Sequence, residues 1–111
     1  MKMDFLKNLP DTPKALADLI DIRDGRVVSM SLTRSDVFRM MLLAVSEKES
    51  VTAEQYPGDV LYYVLEGTMP LLKDGVSYEL DAGDCMAVKA GAPHAIGGGS
   101  AFKVLQIMIR S

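Results

Sequence analysis

The chain carries a single histidine, His94, so any chemistry that needs an imidazole must run through that residue. His94 follows the turn-forming stretch Ala90-Gly91-Ala92-Pro93, and well upstream Glu54 and Tyr56 stand two apart, just before Pro57-Gly58. Residues two apart on a strand share a face, so a carboxylate and a phenol would be presented side by side. An imidazole, a carboxylate and a phenol together make a mixed nitrogen and oxygen donor set. Such a set can hold Fe, Mn, Zn or Ni, and ligand softness does not choose among them. The phenol binds strongly only after losing a proton with a pKa of about 10. Alternatively the imidazole can act as a general base, a role to which histidine chemistry is suited. Taken singly, His94 is also what a half-buried imidazole hydrogen-bonded inside a core looks like. Glu54 on its own resembles a solvated charge, as do its neighbours Glu47, Lys48 and Glu49.

These side chains need a frame, and the sequence supplies one made of strands. Residues 60–65, Val-Leu-Tyr-Tyr-Val-Leu, form a β-branched and aromatic run between Gly58 and Gly67, the pattern of a buried strand. Asp11-Thr12-Pro13 followed by Ala15, Leu16, Leu19 and Ile20 predicts a short helix over 13–20, with proline near its first turn. From Arg26 onward, short apolar runs alternate with turn residues. They predict strands at 27–33, 37–46, 51–56, 60–66, 69–73, 76–80, 85–90, 94–96 and 102–110. Asp74-Gly75 between two such runs is a hairpin signal, because a type I′ turn needs positive φ at both central residues. The expectation is an all-β fold, a small antiparallel barrel or sandwich covering 26–111, preceded by an arm and short helix over 1–25.

Composition narrows the partners. With 111 residues there is room for one real core and hardly for two. A hydrophobic share of 49% against 24% charged is that of a folded globular chain. A net charge of -3 leaves no basic footprint for nucleic acid. The apolar run Met40 to Val45 is far short of the roughly 20 residues of a membrane span. One cysteine and an opening without a signal peptide lead to an expectation of a cytoplasmic protein.

The order Pro57-Gly58-Asp59, Val64-Leu65-Glu66-Gly67, Asp74-Gly75, Ala82-Gly83-Asp84 and Ala90-Gly91-Ala92-Pro93-His94 resembles the barrel of the cupin superfamily, in particular its small single-domain bacterial members. The resemblance implies a jelly-roll β-barrel over most of the chain and, in many relatives, a metal held by two histidines, a glutamate and a third histidine. Aligned on Gly67, the family's His-x-His pair falls on Glu54 and Tyr56, and its glutamate falls on Val60, one place from Asp59. In the second motif Gly91 and His94 are kept, Lys89 stands where proline is usual, and Gly98 stands in place of asparagine. The resemblance therefore implies a divalent metal or a small molecule bound in the barrel through His94 and Glu54, with Tyr56 as a further candidate ligand.

Three functional classes follow from it. The first is an enzyme, either a metal-dependent oxygenase, isomerase or decarboxylase, or a metal-free catalyst like the sugar epimerases of this fold with His94 as base. The second is a non-catalytic ligand-sensing module, and the third an assembly module. Tyr62, in phase with Val60 and Val64, is expected to wall the cavity, and Gln106 faces either cavity or solvent. Apolar residues fill both alternation phases over 37–45, which predicts a covered outer face and hence a homodimer, unless the arm folds back over it.

Overall fold

The computed structural model describes residues 5–110, apart from the side chains of residues 52–54. Eight strands form one curled antiparallel structure: β1 (Val27–Ser31), β2 (Phe38–Val45), β3 (Ser50–Glu54), β4 (Asp59–Lys73), β5 (Val76–Asp81), β6 (Cys85–Val88), β7 (His94–Gly97) and β8 (Phe102–Ile109). The order β1-β2-β8-β4-β7-β3 runs round the barrel, with β5 and β6 also paired to β4.

The central element is β4, one 15-residue strand where the sequence predicts two. Its first half pairs with β8 and β6, and its second half with β5 and β7, so it passes from one sheet to the other. Gly67 marks the change. It lies at the end of a register shift against β8 and has φ 78, a left-handed value that a side chain resists. A Cβ at Gly67 would collide with the carbonyl oxygen of Ala101, so this bend admits no side chain. The glycine bends the strand without ending it, because fresh partners take over the ladder.

Asp74 and Gly75 have φ of 55 and 74, as the hairpin requires. The helix expected over 13–20 is instead a single 3₁₀ turn, Leu16–Leu19, flanked by extended residues and lacking a side-chain cap. Its apolar residues lie against a sheet, and one turn is enough to seat them.

Alternation along the strands produces two apolar layers. Leu43 and Val45 of β2, Val60, Tyr62 and Val64 of β4, and Phe102, Val104 and Met108 of β8 fill the barrel. The opposite phase of β2, with Leu42 and Ala44 fully buried, packs outside against Leu9, Leu16, Leu19, Ile20 and Ile22. The arm thus covers part of the outer face within one chain. It is held by a bridge between Leu6 and Thr33 and by Lys103, whose Nζ donates to the Ala17 carbonyl at 2.8 Å. Among the described residues no helix is long and apolar enough to cross a membrane.

Candidate functional site

Strand parity decides which of the candidate side chains meet. Tyr62 lies between Val60 and Val64 on the inner phase of β4 and is 1% exposed. Gln106 sits opposite it in the β4–β8 ladder and also turns inward, 8% exposed. His94 begins β7 and is 5% exposed. The three side chains form one buried chain of hydrogen bonds. Gln106 Nε2 donates to Tyr62 Oη at 3.2 Å, and Tyr62 Oη lies 2.7 Å from His94 Nε2.

The far end of this chain fixes its direction. His94 Nδ1 is 3.0 Å from the Ala92 carbonyl oxygen, which can only accept, so Nδ1 carries the proton. In the neutral ring Nε2 is then an acceptor, and the Tyr62 hydroxyl donates to it. Each polar group has a partner, and no buried side-chain nitrogen or oxygen among the described residues lacks one. Burial pushes the Tyr62 phenol well above its ordinary range, the Gln106 hydrogen bond draws it partly back, and the neighbouring Tyr56 adds to the rise. Tyr62 is therefore a donor at any physiological pH and not a phenolate ligand.

Tyr56, in the connection before β4, completes the aromatic wall. Its ring centroid lies 5.7 Å from that of His94 at 46°, while Tyr62 meets His94 edge-on at 5.5 Å and 73°. Above Gln106 opens a cavity of about 110 Å³ lined by Arg39, Met41, Tyr56, Gln106 and Met108. Arg39 and Met41 occupy the phase of β2 that Leu43 and Val45 continue into the core, so they look into the barrel mouth.

Glu54 is the final residue of β3, and its backbone pairs with His94 in the β3–β7 ladder. Its side chain is outside the described residues. Asp59, one place from the position where the family glutamate aligns, is exposed and accepts a hydrogen bond from the Ala90 backbone at 2.8 Å, securing the turn before His94. It stands in the opposite phase to Val60, so the turn at Pro57-Gly58 does not bring it into the barrel.

A resident metal fits the described residues poorly. Both nitrogens of the only imidazole are engaged, and no three His, Cys, Asp or Glu side chains among the described residues come together. Of the residues that the sequence singles out, the structure brings His94, Tyr56, Tyr62 and Gln106 together, and it adds Arg39, Met41 and Met108 to the lining of the cavity. The sequence signal for these additions is an arginine two residues from Met41, on a strand whose two phases are both apolar thereafter.

Comparison with known proteins matches a profile of the cupin domain to residues 40–108. The solved structure of a cupin superfamily protein from Desulfitobacterium hafniense is 40% identical, with a TM-score of 0.92, over 96% of this chain and 98% of that one. A conserved protein of unknown function from Streptococcus pyogenes superposes with a TM-score of 0.93 at 20% identity, over 98% of this chain and 96% of that one, a likeness of fold alone. So is the likeness to the DMSP lyase of Ruegeria pomeroyi, at 21% identity and TM-score 0.68 over 76% of this chain and 47% of that one. A comparison with curated protein sequences finds no match.

Proposed function

Because this chain belongs to the cupin family, we propose that it binds a small organic molecule directly in the mouth of its barrel, above the Gln106–Tyr62–His94 chain. The observation that carries this reading is the cavity of about 110 Å³ between β2, β8 and Tyr56. It is walled by two methionines and an aromatic ring, with a few convergent polar groups, as small-molecule sites generally are. Gln106 spends one N–H on Tyr62, which leaves its carbonyl and second N–H for a ligand. Tyr62 and His94 lock the rotamer of Gln106 from beneath, so the polar floor is preorganised.

Binding is favoured over turnover by the state of His94. A general base needs a free lone pair within reach of the substrate proton, and here the Nε2 lone pair is occupied by Tyr62 while Nδ1 is turned to a backbone carbonyl. Metal binding through His94, Glu54 and Tyr56 is the second reading. It is supported by the pairing of Glu54 opposite His94 and the nearness of Tyr56, and it requires His94 Nε2 to leave Tyr62.

Two measurements on purified protein separate these readings. Direct binding predicts a rise in melting temperature with small ligands in the presence of chelator, reduced by Gln106→Ala. Stoichiometric Fe, Mn, Zn or Ni by elemental analysis, lowered by both His94→Ala and Glu54→Ala, would establish the metal reading in its place.

A further inference from the structure

Among the described residues Arg39 is the one charged side chain lining the mouth cavity, and its guanidinium has no ion pair or hydrogen-bond partner. The other described lining residues are Met41, Tyr56, Gln106 and Met108, and no carboxylate among these offsets the guanidinium. Arg39 shares its strand phase with Met41, Leu43 and Val45, and its ladder partner Met108 also belongs to the barrel interior. Its side chain is solvent-exposed at the rim of that mouth. There its planar five-donor group borders a largely apolar mouth within a chain of net charge -3.

Resting on the small-molecule reading above, we propose that the ligand is a small monocarboxylate with an apolar body. Its carboxylate sits on Arg39, and its body lies between Met41, Met108 and the Tyr56 ring. The guanidinium fork matches a carboxylate with two parallel hydrogen bonds, and Gln106 can donate its second N–H to the same anion. The cavity of about 110 Å³ sets the scale: a few carbon atoms or one ring, and neither a sugar nucleotide nor a fatty acid.

The test compares butyrate and benzoate with the neutral isosteres butyramide and benzamide, by calorimetric titration at low salt. Wild type should take the carboxylates at least about tenfold more tightly than the amides, the difference expected of a charge-assisted pair. Arg39→Gln should remove that preference and Arg39→Lys should keep part of it, with unchanged circular dichroism in both. Equal binding of acids and amides, insensitive to Arg39→Gln but weakened by Gln106→Ala, would overturn the carboxylate inference and leave the small-molecule reading standing. If none of the four compounds binds wild type, both fall. If the acids bind equally well to wild type and Arg39→Gln, the anion is held elsewhere and the proposal is refuted.

Discussion

Tyr62→Phe is the sharpest probe of the interior, because it deletes one oxygen and keeps the ring that packs against Val60, Val64 and His94. The lost hydroxyl is the donor to His94 Nε2 at 2.7 Å and the acceptor for Gln106 at 3.2 Å. Gln106 borders the cavity, so its N–H can turn to water. His94 Nε2 has no such recourse and is left as a buried acceptor without a partner, at about 1–3 kcal/mol. Adding a smaller loss at Gln106, the variant should be less stable by about 2–3 kcal/mol at neutral pH. Urea unfolding reads this directly. With a slope of about 1–3 kcal/mol per molar, the midpoint should fall by roughly 0.7–3 M with the slope itself unchanged.

A second axis, pH, tests the same hydroxyl. Tyr62 ionises in the unfolded chain near its ordinary value of 10.0, whereas burial holds it protonated in the folded chain to higher pH. Above pH 10 the unfolded state has therefore lost a proton that the native state keeps. Stability of the wild type should fall with rising pH by about 1.4 kcal/mol per unit from this group alone. Phenylalanine has no such proton. The gap between wild type and Tyr62→Phe should stay constant below pH 10 and close above it. A variant as stable as wild type at neutral pH, or a gap that does not narrow in alkali, would refute the closed hydrogen-bonded chain.

Other outcomes follow from particular contacts. Gly67→Ala should destabilise by about 2–4 kcal/mol in urea titration, since it adds a Cβ against the Ala101 carbonyl at a residue with φ 78. Lys103→Met removes the donor to the Ala17 carbonyl, and should speed amide hydrogen exchange and proteolysis over residues 16–20 while the barrel amides keep their protection. We propose that a second copy covers the outer apolar residues that the arm does not reach, Leu61, Tyr63 and Ile109, at 37%, 41% and 54% exposed. Light scattering should then give about twice 12.1 kDa, and Tyr63→Asp should return it toward that value; a wild-type mass of 12.1 kDa would rule the homodimer out.

How much of this was legible in the sequence depended on whether a local signal had one meaning or two. Turn chemistry had one: Asp74-Gly75 could hardly be anything but a tight hairpin, and the strands on either side followed. Gly67 had two, since a glycine after a β run ends a strand or bends it, and only the partners waiting beyond it decide. The stripe Leu16, Leu19, Ile20 read as helix because its spacing fits one, yet it served equally to lay an arm on a sheet. The site divided in the same way. Tyr62 was placed by parity, being two residues from Val60 and Val64. Gln106 and Arg39 were not, because 102–109 and 38–45 are apolar in both phases. That double coverage arises in part from an outer layer built by the arm, and apolarity in both phases signals such a layer without telling which phase faces the barrel.

The position of β8 constrains how the chain can be made. It lies between β2 and β4, strands synthesised long before it, and is the joint through which they meet. A nascent chain emerging from the ribosome can form the β1–β2 and β4–β5 hairpins early, but it leaves two long, apolar strand edges facing each other across an empty slot until residues 102–109 appear. During that interval the edges are open to pairing with any neighbouring chain. Closure relies on contacts distant in sequence, so it should be slow relative to hairpin formation. The risk of misassembly is therefore concentrated in the time before β8 arrives.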